Sequence, residues 1–191
     1  MSAYRGAVIE EVKLAGDVVL RPATEHDARP LLDAYLRNRD HLRRWEPRRP
    51  EEFFTERGQT RRLTSLLEQQ AAGQAVAWVL AEGESVVGRM TLSNIVRGPW
   101  LSGDLGYWTD AGHTGRGLAT LAVREVCRMA DQEVGLHRVA ASTLLDNAAS
   151  QSVLRKAGFE AYGTAPRYLE IDGRWQDHRL FQRILNDRPA F

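Results

Sequence analysis

Short β-rich runs and longer stretches of helical period alternate along this chain. Val18, Val19 and Leu20 form a brief apolar run closed by Pro22, the pattern of a buried strand. Leu31, Leu32, Tyr35 and Leu36 recur at helical spacing behind Thr24 and Asp27, which resemble a capping box, so a first helix is expected over 25–38. Residues 42–50 carry two prolines and read as a loop. Pro50, Glu51 and Glu52 then suit the start of a second helix ending near Gly73. Residues 75–81 and 85–95 are β-rich and are joined by Glu82-Gly83-Glu84, which predicts a hairpin. A further strand is expected over 101–109. In 118–134, Ala119, Ala122, Val123, Val126 and Ala130 make one apolar stripe, so this segment reads as an amphipathic helix. A strand over 139–143 and a helix over 147–157, stopped by Gly158, follow. Two last strands, 160–171 and 175–184, meet at Asp172-Gly173. Residues up to Gly16 read as a loosely held arm or an edge strand. The order βααβββαβαββ predicts a single mixed α/β domain over 1–191, with about seven strands and four helices.

Composition narrows the class of protein. Hydrophobic residues are 43% and charged residues 27% of the 191, ordinary values for a globular chain. Lys plus Arg total 26 against 25 for Asp plus Glu, so the formal charge of +1 gives no general argument for nucleic acid or membrane binding. The arginine-rich loop (Arg43, Arg44, Arg48, Arg49) is solvated, or attracts an acidic substrate. Cys127 is the single cysteine, which excludes an internal disulfide; its place near the helical stripe marks it as core. The start lacks the apolar core of a signal peptide, and no apolar run is long enough to span a bilayer, so a cytoplasmic protein is expected. The five histidines, His26, His41, His113, His137 and His178, do not fall at metal-ligand spacing, and no metal is expected.

The segment GYWTDAGHTGRGLATLAVREV, residues 106–126, carries the most chemistry. A strand enters a turn with Gly115 and Gly117, and an amphipathic helix begins at once. Glycines there let backbone approach a ligand, and the free N–H groups of a first helical turn suit a phosphate or pyrophosphate, with Arg116 as a mobile cation. The Gly-Lys-Ser/Thr of a Walker A loop is absent, and two late glycines do not make a dinucleotide fingerprint. Taken alone, the turn suits a plain helix cap as well as a ligand site.

HTGRGLA, residues 113–119, resembles the acetyl-CoA pyrophosphate loop of the GNAT superfamily, Gln/Arg-x-x-Gly-x-Gly/Ala. Gly117 and Ala119 fall on the small-residue positions, and Thr114 stands at the Gln/Arg position. LHRVAASTLLDNAASQSVLRKAGFEAYG, residues 136–163, resembles the second half of the same fold. RYLEIDGRWQDHRLF, residues 167–181, and HLRRWEP, residues 41–47, are similar to the closing hairpin and substrate loop of the RimJ/RimL subgroup. The resemblance implies a GNAT fold, its central sheet splayed between the fourth and fifth strands, with the pantetheine arm of acetyl-CoA in the wedge. It implies that the backbone of Tyr107, Trp108 and Thr109 pairs with pantetheine, and that polarised N–H groups near Trp108 steady an oxyanion. The amides of Gly115, Arg116, Gly117, Leu118, Ala119 and Thr120 would hold the pyrophosphate, and Asn147, Ser150 and Arg155 would flank the cofactor.

Many members of the family protonate the leaving thiolate with a tyrosine, but the matching position here is Leu154. The subgroup resemblance puts Ser150 in that role; the alternative is an ordinary helix-capping serine. Glu46 and Glu170 are the candidate bases, although strand alternation points Glu170 away from Leu169. Trp45, Asn94 and Tyr168 are expected beside the acceptor. The implied activity is N-acetylation of a primary amine, first the N-terminal amine of a protein, as in ribosomal-protein alanine acetylation. The alternatives are a small amine (antibiotic, polyamine or aminoacyl compound), a non-catalytic acetyl-CoA sensor, and, ranked last, an RNA-binding accessory module. No membrane and no direct nucleic-acid partner is expected, and the chain would be a monomer or homodimer.

Overall fold

The computed structural model describes residues 10–190. Its strands are β1 (Val12–Ala15), β2 (Val18–Pro22), β3 (Val76–Glu82), β4 (Ser85–Val96), β5 (Ser102–Thr109), β6 (Arg138–Leu144), β7 (Glu160–Ile171) and β8 (Arg174–Ile184). They form one sheet in the order β1-β2-β3-β4-β5-β6-β8-β7. Every pairing is antiparallel except β5 with β6, which run parallel. The α-helices are α1 (Ala28–Arg37), α2 (Arg39–Arg43), α3 (Glu56–Ala71), α4 (Leu118–Gln132) and α5 (Ala148–Lys156). The strand beyond the seven expected is β1, so residues 12–15 are an edge strand; residues 1–9 lie outside the described residues.

Both faces of the sheet are covered, which explains why β3 reads as an unbroken apolar run. Val76, Trp78 and Leu80 enter the core under α4 and α5, while Ala77 and Val79 enter the core under α1 and α3. In α4, Ala122, Val123, Val126 and Ala130 are buried as the stripe predicts, joined by Leu118, Cys127 and Met129. Burial pushes the Cys127 thiol up to about 11, despite Arg183 nearby, which suits a core residue and not a nucleophile. Ala119 is only partly buried.

The two N-terminal helices depart from the single runs expected. The first begins as a 3-10 turn over Glu25–Asp27 and ends at Asn38 as expected, where the Asn38 amide donates back to the Ala34 carbonyl (2.9 Å) and across to Asp110 Oδ2 (2.7 Å); the short α2 that follows was not expected. Residues Glu51–Phe54 form a 3-10 turn, and the true cap of α3 is Thr55, whose hydroxyl accepts from Gly58 N at 3.1 Å. Gly58 sits inside the helix because a Cβ there would lie 1.9 Å from the Glu52 carbonyl oxygen.

Asp110 ties the glycine turn to α1. Its carboxylate accepts from Arg37 Nε (2.7 Å), Asn38 Nδ2 (2.7 Å) and Gly112 N (2.8 Å), while Asn38 Oδ1 accepts from Ala111 N (2.8 Å). Burial alone would raise this carboxyl, but the bonds from Asn38, Arg37 and Gly112 outweigh it and hold it at about 2, below the ordinary 3.8. A depressed carboxyl contributes stability that is full above the ordinary value and is lost as pH falls through the folded one. Asp110→Ala is expected to cost about 2–4 kcal/mol near neutral pH. In urea unfolding the gap to the native chain should narrow between pH 4 and pH 2; a gap independent of pH would contradict this account.

Candidate active site

Strands β5 and β6 pair only at Ser102–Arg138, Gly103–Val139 and Asp104–Ala140. Beyond Asp104 they diverge. The far edge of β5 stays on β4 as far as the Gly88–Thr109 pair, and that of β6 stays on β8 as far as Leu144–His178. Each strand therefore turns one unpaired edge toward the wedge, where alternate N–H and C=O groups of 105–109 have no strand partner. A cleft of about 1200 Å³ occupies this opening. Thr109 and Thr143, one on each diverging strand, line the cleft, and their hydroxyls are buried beside it without a hydrogen-bond partner. Such a wall suits a flexible polar arm with its own amides, and pantetheine fits this donor and acceptor set.

The tip of α4 closes one end. Gly115 and Gly117 adopt positive φ of 74° and 77°, and no side chain caps the helix at Gly117. Nothing lies within 4 Å of where their Cβ atoms would stand, so the amides that follow face open space. Gly115, Gly117, Leu118, Ala119 and Thr120 line the cleft here, and a diphosphate fits this helix start. Thr114 lines it too, but its hydroxyl donates to the Ala111 carbonyl at 2.9 Å. Arg116 is not part of the lining; its guanidinium reaches toward Gly16, at the turn between β1 and β2.

At the apex, Tyr107 Oη lies 2.8 Å from Ser150 Oγ, and the same phenol donates to the Ser150 carbonyl at 3.3 Å. Burial pushes the Tyr107 phenol up to about 12, against the pull of its bond with Ser150, so it holds its proton throughout the physiological range. Asn147 caps α5, accepting from Ser150 N at 3.0 Å, and this fixes the turn that presents the Ser150 hydroxyl. Leu154 is fully buried in the core, as an aliphatic stand-in for a tyrosine must be.

Other expected residues divide. Trp45, Glu46, Asn94 and Tyr168 line the cleft. Asn94 sits at a bulge in β4 with φ 50°, and its amide donates to Asp104 Oδ2 at 2.9 Å. The Glu46 carbonyl accepts from Asp172 N at 3.2 Å, which pins the substrate loop to the β7–β8 turn. Trp108 offers the wedge its backbone only, because its indole faces the opposite core and donates to Tyr35 Oη at 3.1 Å. Two residues are not brought to the cleft. Arg155 bonds Gln151 Oε1 at 3.2 Å and faces the Phe181 ring, and Lys156 lines the opening instead. Glu170 pairs with Trp175 across the hairpin while Leu169 and Ile171 line the cleft, as strand alternation requires.

Two groups escape the sequence reading. The Tyr107 hydroxyl is one: only the β5 register and the α5 cap bring it to Ser150, 43 residues away. His178 is the other, buried in the cleft with its ring 5.6 Å from that of Tyr168. Its Nδ1 lies 3.0 Å from the Gln176 carbonyl, which can only accept, so Nδ1 is the donor there and Nε2 is the acceptor of the neutral ring. The signal for it was the period-2 pattern of β8, which puts His178 and Leu180 on one face and Phe181 on the other. Among the described residues, no group of three or more His, Cys, Asp or Glu side chains could hold a metal, and no helix is long and apolar enough to cross a membrane.

Residues 17–160 match the acetyltransferase (GNAT) domain family. The chain is 34% identical over 183 residues to the [ribosomal protein uS5]-alanine N-acetyltransferase of Escherichia coli (strain K12), covering 94% of each. A ribosomal-protein-S5-alanine acetyltransferase structure from Vibrio fischeri superposes with a TM-score of 0.90 at 32% identity, over 94% of this chain and all of that one. Mycobacterium smegmatis RimJ in complex with CoA-disulfide gives 0.86 at 30% identity, over 92% of this chain and 86% of that one. With the splayed strands, the uncapped helix tip and the polar cleft between them, these likenesses establish that the chain belongs to the GNAT acetyltransferase family, as an acetyl-CoA-dependent N-acetyltransferase.

Proposed function

We propose that the chain acetylates the N-terminal α-amine of a protein, of the ribosomal-protein-alanine type, in the cytoplasm. The observation that carries this reading is the hydroxyl pair at the wedge apex, facing a cleft that stays open between the Trp45–Glu46 loop and the β7–β8 hairpin. Acetyl-CoA supplies the thioester. The unpaired edge of β5 orients its arm, and amides near Trp108 stabilise charge growing on the carbonyl oxygen; one such donor typically contributes about 2.7–4 kcal/mol. The α4 tip holds the diphosphate through Gly115 to Thr120. Ser150 Oγ gives its proton to the departing sulfur and is backed by the Tyr107 phenol, 2.8 Å away and firmly protonated. The α-amine, with a pKa near 8, is partly neutral in the cell and needs only a weak acceptor for its proton. Glu46 and the Nε2 of His178 are the candidate acceptors among the residues that line the cleft.

Turnover is tested by free-thiol release with alanine-ended peptides and a panel of small amines. Peptide turnover is expected; none with any peptide, beside strong turnover of one small amine, would overturn the acceptor class. Its rate should fall about tenfold per pH unit below pH 8, as the amine becomes protonated. Ser150→Ala should lower kcat by about a hundredfold and leave acetyl-CoA binding nearly intact. Equal loss of both would make Ser150 a structural cap only. Gly117→Trp fills the approach to the helix tip and strains a positive φ, so coenzyme A affinity should drop at least about a hundredfold. Unchanged affinity would refute the phosphate loop.

A further inference from the structure

A second cavity, of about 410 Å³, lies on the opposite face of the sheet from α4, between α3 and strands β3 to β5. Glu46, Ser93, Gly106, Tyr107 and Trp108 line both this cavity and the cleft, so the two adjoin at the middle of β5. Gly106 leaves that junction clear: nothing lies within 4 Å of where its Cβ would stand.

Three half-buried arginines, Arg49, Arg62 and Arg89, converge on the cavity. Among the described residues that line the cavity, the one carboxylate is Glu46, whose Oε2 is 3.7 Å from Arg49 Nη2. Among the described residues, neither Arg62 nor Arg89 has a carboxylate within 4 Å. Arg89 is held by neutral groups, donating to Thr91 Oγ1 at 2.9 Å and to Tyr35 Oη at 3.2 Å. Arg49 and Arg62 crowd the same Phe53 ring, at 5.1 and 4.9 Å, and Arg49 Nε is buried without a partner. Burial and the like charges of Arg89 and Arg49 push Arg62 below its ordinary value. The other arginines that reach buried carboxylates are matched, Arg21 with Asp27 and Arg37 with Asp110. Three cations against one carboxylate leave an excess of two, and in a half-buried site that excess is costly until an anion enters. Planar guanidinium forks are suited to carboxylate and phosphate oxygens.

We propose that this arginine cavity is an anion subsite of the acceptor site, selecting peptides that carry a carboxylate or phosphate a few residues beyond the amine. The inference rests on the N-terminal acceptor reading. An acceptor amine at the β5 wedge would extend past Gly106, and its acidic side chain would meet Arg62 and Arg89.

The test uses the full chain and alanine-ended peptides that differ only in glutamate, phosphoserine or glutamine, placed in turn at positions two to four. At one of those positions the acidic peptides should exceed the glutamine peptide in kcat/KM by at least about tenfold, the size of one good charge-assisted contact. Comparing glutamate with phosphoserine identifies which anion is preferred. Arg62→Gln should shrink the ratio to within about threefold, and Arg62→Lys should restore part of it. In parallel, with coenzyme A saturating the phosphate loop, succinate or inorganic phosphate should raise the melting temperature of the native chain but not of Arg62→Gln. If no peptide is turned over and the dianions still stabilise through Arg62, the N-terminal reading fails and the subsite stands. Equal rates for acidic and glutamine peptides at every position, or a preference that survives Arg62→Gln, would overturn the subsite.

Discussion

The structure depends on where one parallel strand pairing stops. β5 and β6 share three residue pairs and then part, although each continues its pairing on the outer side. A sheet interrupted in its middle leaves backbone polar groups without partners, and these must be met by something other than the fold. Buried, unpartnered Thr109 and Thr143 hydroxyls on the two banks have the same character. A substrate arm with amides and carbonyls of its own completes the sheet. The diverging strands keep their outer edges paired, β5 on β4 and β6 on β8, so each half of the sheet stays intact.

The chemistry follows from what the fold places around that gap. Asp110 ties the glycine turn to α1 through its bonds from Arg37, Asn38 and Gly112, and so helps fix the start of α4. Asn147 locks the start of α5 and presents Ser150. Tyr107 reaches that serine from β5, so the two diverging halves touch again at the apex through a hydroxyl pair. The acceptor side is built from elements distant in sequence, the Trp45–Glu46 loop and the β7–β8 turn, joined by the bond from Asp172 N to the Glu46 carbonyl. The arginine cavity extends this side beneath α3, adding charge recognition to an opening whose other walls are largely aromatic and amide.

Much of this was legible in the sequence, for physical reasons. The β-rich run of β3, the stripe of α4 and the Asp172-Gly173 turn are local patterns, and each appears where its residues put it. The glycine turn before α4 was legible because glycines at positive φ are a backbone requirement. The end of the first helix at Asn38 was legible, but the short α2 beyond it was not, nor was the shift of the α3 start from Pro50 to Thr55, which follows a 3-10 turn over Glu51–Phe54. Arg155 and Lys156 are neighbours on one helix, and the helix turn puts Lys156 at the cleft and Arg155 over the Phe181 ring. Glu170 was readable as facing away, and the alternation of β7 keeps it outside the cleft. The arginine cavity was invisible, because Arg49, Arg62 and Arg89 come from a loop, a helix and a strand.

Amide hydrogen exchange on residues 105–109, resolved by residue with and without coenzyme A, tests the central claim most directly. The account predicts that amides of β5 facing β6 exchange fast in the free protein and become strongly protected when coenzyme A is bound, while those facing β4 are protected in both. Equal protection of the two sets in the free protein would contradict it, because the wedge would then be closed by the fold itself.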